Sequence, residues 1–127
     1  MTLVRHSSGG PWEDTVGYSR VVAGTDQAWT AGCTGVVDGE LVGVGDAYLQ
    51  ALTAFRSGLA ALERVGFPPG SVVQTRMYVV DVRANHEAVG RAHSEVFDAV
   101  RPAATMVGIA ELIDPRMLVE VELVAHR

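Results

Sequence analysis

A chain of 127 residues that is 48% hydrophobic and 20% charged has the size and make-up of one hydrophobic-core domain, which excludes a disordered or repetitive protein. A net charge of −5 repels phosphate and disfavours nucleic acid as a partner, and the single cysteine, Cys33, excludes an internal disulfide framework and a cysteine-based zinc site. No stretch approaches the roughly 20 apolar residues of a membrane span, and no apolar run follows Arg5 and His6, so no membrane association and a cytoplasmic location are expected.

In chain order, the first expected element is a hairpin: Tyr18 to Ala23, a turn at Gly24-Thr25-Asp26, then Gln27 to Ala31. The strongest local signal follows, from Asp46 to Gly66. Tyr48, Leu52, Phe55, Leu59 and Leu62 recur at three- and four-residue steps and predict an amphipathic helix. Asp46 suits its N-cap, Gly66 the left-handed residue that ends it, and Pro68-Pro69 forbids continuation. Ser71 to Asp81 is rich in β-branched residues and reads as a strand, with Val73, Met77 and Val79 on one side and Gln74, Arg76 and Tyr78 on the other. A second helix is expected over roughly residues 85–100, stopped at Arg101-Pro102. Ala104 to Ile109 and Met117 to His126 supply the last strands. In the latter, Met117, Val119, Val121, Leu123 and Ala125 alternate with Leu118, Glu120, Glu122, Val124 and His126.

The fold expected is therefore α+β: a single domain over residues 1–127 with a mixed sheet and two helices on one face. The other face would carry Leu118 and Val124 with Glu120 and Glu122, beside Tyr78. It is too apolar for comfortable exposure, and burial against further copies of the chain would place its carboxylates at a subunit boundary, where small-molecule pockets form.

Several motifs carry possible chemistry. Two neighbouring carboxylates, Glu120 and Glu122, can hold a water and accept its proton, although spacing alone favours the plainer reading of interface ion pairs. Cys33, in Ala31-Gly32-Cys33-Thr34-Gly35, has no local base and reads as a buried, inert thiol. His86 and His93 stand seven apart, wider than the spacing of helical zinc ligands, and no metal is expected. Gly43-Val44-Gly45-Asp46 lacks a third glycine and places an acid where phosphate would sit, which argues against nucleotide binding.

Taken together, Gly17-Tyr18-Ser19, Thr30-Ala31-Gly32, the helix from Asp46 to Gly66, Val72 to Asp81, Phe97, Arg101-Pro102-Ala103-Ala104-Thr105 and Val119-Glu120-Val121-Glu122 resemble the Rid family, also called YjgF, reactive-intermediate deaminase or L-PSP endoribonuclease-like proteins. The resemblance implies a chorismate-mutase-like fold, a homotrimer whose sheets form a barrel, and small-molecule pockets between subunits. It implies hydrolysis of enamines and imines to keto acids and ammonia, with neither a metal nor an organic cofactor. By the same resemblance, Glu120 orients the water, Tyr18 is a pocket wall and hydrogen-bond partner, Gly32 and Cys33 edge the pocket, and Thr105 offers donors.

One departure is plain. Family deaminases carry an arginine after Pro-Ala that grips the substrate carboxylate; here the position is Ala104, and Met106 stands where cysteine is frequent. Arg76 or Arg116 are the candidates to replace that cation. A non-catalytic metabolite-binding protein on the same scaffold is the alternative reading. The endoribonuclease activity in the family's other label is disfavoured by the acidic charge.

Overall fold

The structure, a computed structural model, describes residues 2–127. Among them a six-stranded mixed sheet runs in the order β1-β2-β3-β8-β6-β7, from β1 (Val4–His6), β2 (Val21–Ala23), β3 (Gln27–Thr30), β6 (Val72–Val80), β7 (Ala103–Ile109) and β8 (Val119–His126). A small separate hairpin joins β4 (Val36–Val37) to β5 (Glu40–Leu41). Helices α1 (Ala47–Arg64) and α2 (Val82–Phe97) pack against each other and on one face of the sheet. The layout is the expected α+β, chorismate-mutase-like one.

The core lies between sheet and helices and follows the sequence pattern. Val119, Val121, Leu123 and Ala125 of β8 are buried under Leu52, Phe55 and Leu62 of α1, and Val89 and Phe97 of α2. Gly58 lets α1 approach β8 closely, since a Cβ there would stand 2.8 Å from Leu123 Cδ1. As expected, the Leu49 amide donates to Asp46 Oδ1 at 3.0 Å, and Gly66 adopts a φ of +88° just past the end of the helix.

Three details differ from the sequence reading. Val73 does not join Met77 and Val79 in the core. Val72 lies opposite Ala125 and Gln74 opposite Val124, so Val73 is the extra residue of a β-bulge and is 45% exposed, while Val72 is buried in its place. Helix α2 begins and ends three residues earlier than expected. A left-handed Asp81 turns the chain straight out of β6, and Asn85 Nδ2 ties the new helix back to the Val80 carbonyl. At its other end Val100 and Arg101 both donate to the Phe97 carbonyl, closing the last turn before Pro102. Finally, β1, a π-helical turn at Glu13–Gly17 and the β4–β5 hairpin had no counterpart in the sequence reading. The strands among them span two or three residues, too few for a period to register.

Candidate functional site

Glu120 sits where β3 separates from β8. The ladder pairs Trp29 with Val124, after which the Leu123 amide turns to the Thr30 hydroxyl at 3.0 Å. The strands rejoin when Cys33 and Val121 exchange both backbone hydrogen bonds, at 2.7 and 2.9 Å. Gly32 lies just before this bridge on its strand, Glu120 lies just past it on β8, and the Glu120 side chain reaches back to Gly32. A Cβ at Gly32 would stand 2.7 Å from Glu120 Cδ and Oε1, so the carboxyl occupies space that any other residue at 32 would fill.

Glu120 is half-buried on the face that the helices leave open, paired in register with Tyr78, whose hydroxyl donates to Glu122 Oε1 at 2.5 Å. Burial raises the Glu120 pKa, the Glu122 charge raises it further, and Arg20 opposes both; the net shift is upward. The result is a carboxyl with the environment of a base.

Arg20, which the sequence reading passed over, lies on the other side of Gly32. Its Nη1 donates to the Gly32 carbonyl at 2.6 Å and approaches Cys33 Sγ at 3.7 Å, while Nη2 donates to the Tyr18 hydroxyl at 3.4 Å. Its Nε lies 4.0 Å from Glu13 Oε2. Glu13 is itself buried and accepts from the Ser8 and Gly10 amides and the Ser8 hydroxyl. Burial works to raise the Glu13 pKa, but these hydrogen bonds and one from Ser7 outweigh it, and the net shift is downward. An ionised Glu13 thus fixes the segment before β2 and stands at the edge of ion-pair distance from Arg20. The sequence offered one signal for Arg20: it is two residues from Tyr18 in an extended segment and so on its side.

The remaining candidates are distributed around this centre. Tyr18 is partly exposed beside Arg20, its ring centroid 5.6 Å from the guanidinium carbon. Cys33 is buried, and burial raises its pKa despite Arg20, which keeps the thiol protonated at neutral pH. Register places Thr105 beside Arg76 on the open face, whereas Ala104 aligns with Thr75 and Met106 with Met77, on the side facing the helices. Met106 packs against the core and Ala104 is exposed on the sheet's edge strand. Arg76 lies 3.6 Å from Glu122. Arg116 is in the loop before β8, where its Nε and Nη2 donate to Asp114 at 3.1 and 2.8 Å and hold that carboxyl down to about 2. The charges that act on Glu120 are those of Glu122 and Arg20. A 520 Å³ depression lined by Val80, Ala110, Leu112, Ile113 and Met117 contains none of the candidate residues. Glu120 instead opens onto the uncovered sheet face.

A sheet of this order with two helices on one face, and a carboxyl seated against a backbone cleft on the other, defines a class of small α+β proteins. The comparisons make the class specific: residues 12–127 match the family described as Endoribonuclease L-PSP, and the chain belongs to that family, the YjgF or Rid group. It is 42% identical over 123 residues to an uncharacterised Streptomyces coelicolor protein, covering 97% of this chain and 91% of that one. Among solved structures it is similar to a Mycobacterium tuberculosis member of the YjgF/YER057c/UK114 family, with a TM-score of 0.89 and 36% identity over 99% of this chain and 100% of the other. The fold also matches that of E. coli TdcF with bound serine, at a TM-score of 0.80 and 20% identity, covering 97% and 93% of the two chains. Family membership supports a role connected with small metabolites.

Proposed function

We propose that this protein hydrolyses a small, reactive imine or enamine, with Glu120 placing and deprotonating the water in a pocket completed by a neighbouring subunit. The observation that carries the reading is the seating of Glu120: a half-buried carboxyl of raised pKa, lodged against the Gly32 backbone and open on its other side. Such a group is a base whose proton affinity is lifted toward neutrality, which general-base catalysis rewards. Hydrolysis of an imine then needs few further groups. Glu120 takes a proton from water as the oxygen adds to the imine carbon, giving a carbinolamine. That proton passes to nitrogen, the remaining hydroxyl proton follows it as the C–N bond breaks, and a carbonyl compound and ammonia leave.

Assembly as a homotrimer in the cytoplasm completes this proposal. Leu118, Glu120, Glu122 and Val124 remain only half-buried on the face away from the helices, and Trp29, aligned with Val124, is 40% exposed. Packing that face against other copies would bury its apolar residues and close the Glu120 cleft. No helix among the described residues is long and apolar enough to cross a membrane. The serine bound to TdcF gives a precedent for a small amino acid on this fold.

The test is a coupled assay in which an amino-acid oxidase generates 2-imino acids and ammonia release is followed. Wild type is expected to accelerate release, and Glu120→Gln to lower turnover by at least about tenfold to a hundredfold. Saturable ligand binding without turnover would instead assign a metabolite-binding role to the same cleft.

A further inference from the structure

The geometry points to Arg20 as the residue of this chain that receives a ligand carboxylate beside Glu120. The inference rests on the hydrolase reading for the chemistry, and adds the anion-binding group that reading lacks.

Placement comes first. Arg20 and Glu120 converge on one residue: Arg20 Nη1 bonds the Gly32 carbonyl, and the Glu120 carboxyl lies against the Gly32 α-carbon. A small molecule beside Gly32 would therefore meet a cation at one end and a carboxyl at the other. Without a cation, a ligand carboxylate there would face Glu120 and be repelled. Arg20 supplies the opposing charge.

The orientation of the guanidinium is the second point. Its Nε edge faces Glu13 at 4.0 Å and Nη1 is engaged by the Gly32 carbonyl. Nη2 is left with the Tyr18 hydroxyl at 3.4 Å, a long contact for a cationic donor. A carboxylate at the usual distance of roughly 2.7–2.9 Å from an arginine N–H would improve on it. Glu13 does not compete for this corner, because its oxygens are held by Ser8 and Gly10. The side chain is only 20% exposed, so a pair formed there is less screened than one at the surface.

Third, the guanidinium groups of Arg76 and Arg116 have carboxylate partners of their own. Arg76 pairs with Glu122, and Arg116 is bound through two N–H groups by Asp114. Arg20 is also the cation whose field reaches Glu120.

The experiment compares two probes of nearly equal shape, pyruvate and its neutral analogue pyruvamide, titrated against the full chain by ligand-observed NMR. Arg20→Met keeps the length of the side chain and removes its charge. It is expected to weaken pyruvate by at least about tenfold and leave pyruvamide within about twofold, the loss of one charge-assisted contact. Should Arg20→Met not fold, Arg20→Lys takes its place; it retains charge without the planar fork and is expected to weaken pyruvate alone, by severalfold. Equal effects on both probes, no effect on either, or no saturable pyruvate binding by the wild type overturns the proposal. The two readings fail separately. Arg20-dependent pyruvate binding without imine hydrolysis defeats the hydrolase reading and keeps this one, whereas imine hydrolysis with unchanged KM in Arg20→Met does the reverse.

Discussion

The Glu120 carboxyl fills the space left by the side chain that Gly32 lacks, so that a Cβ on Gly32 would lie 2.7 Å from Glu120 Cδ. The two positions are 88 residues apart in sequence, and the chain fold alone brings them into contact.

Gly32→Ala is expected to separate function from stability. The backbone at Gly32 does not need glycine's positive φ, and the displaced atoms are the end of a flexible side chain. Unfolding free energy should therefore change by no more than ~1 kcal/mol. The carboxyl, however, must move to another rotamer and lose its place. Imine hydrolysis should fall by at least about tenfold, since small misplacements of a reacting group are costly. Thermal unfolding and the coupled assay on the same sample check both halves; full turnover in a stable variant would show that the seat of Glu120 does not matter.

The pH dependence of turnover should carry the sign of the charges around Glu120. Burial and the Glu122 charge raise its pKa, while Arg20 works against them. A base acts when ionised, so activity should fail on the acid side through a pKa above the ordinary carboxylate value of 4.5. Glu122→Gln removes the repelling charge and should move that limb to lower pH, while its amide oxygen can still accept from Tyr78. Arg20→Met should move it to higher pH. A limb that ignores both substitutions would belong to another group. The sign for stability is opposite: a carboxyl with a raised folded pKa favours the folded chain when protonated, and that contribution is lost as pH rises through the folded pKa.

How much of this was legible beforehand depended on the range over which each signal acts. Helix α1 and strand β8 declare themselves locally, because apolar periods of three to four and of two residues are written in consecutive positions. Val73 was misplaced because a bulge depends on the partner strand, and no property of Val73 announces it. Glu120 and Tyr18 could be named from the family resemblance. Arg20 and Glu13 could not, because their importance comes from a loop that folds back over β2 and from hydrogen bonds to Ser8 and Gly10. A buried glutamate in a glycine- and serine-rich segment reads in one dimension as a solvated turn.

His93 should make stability sensitive to mild acid. Its Nε2 shares a 2.8 Å hydrogen bond with the buried Thr75 hydroxyl, and its ring packs at 5.4 Å from Phe55 and 4.9 Å from Phe97. Burial lowers its pKa from 6.5, so the folded chain holds it neutral where the unfolded chain takes up a proton. Stability from this group is present above the unfolded pKa and is lost as pH falls below about 6.5. Urea midpoints at pH 7.5 and 5.5 should differ less in His93→Gln, which keeps a polar atom for Thr75 and cannot titrate.

Gln50 links stability to the position of the strand that carries Glu120. It is completely buried in α1, where its Nε2 donates to the Gly43 and Arg116 carbonyls, both at 3.0 Å, and its Oε1 accepts from the Leu118 amide at 2.8 Å. One amide therefore serves two carbonyls and one N–H of chain segments that no ladder reaches. Gln50→Leu preserves approximate volume but orphans the Arg116 carbonyl and the Leu118 amide, while the Gly43 carbonyl keeps its 2.8 Å bond from the Asp46 amide; at about 1–3 kcal/mol for each orphaned group, a loss of at least ~2 kcal/mol is expected. Gln50→Glu should not rescue it, since a carboxylate keeps the acceptor, lacks both donors and adds a buried charge. Leu118 leads directly into β8, two residues before Glu120, so a variant that still folds should also lose turnover. Urea unfolding followed by the hydrolysis assay under native conditions tests the connection: full activity in a destabilised Gln50→Leu would mean that β8 holds Glu120 in place without help from its entry loop.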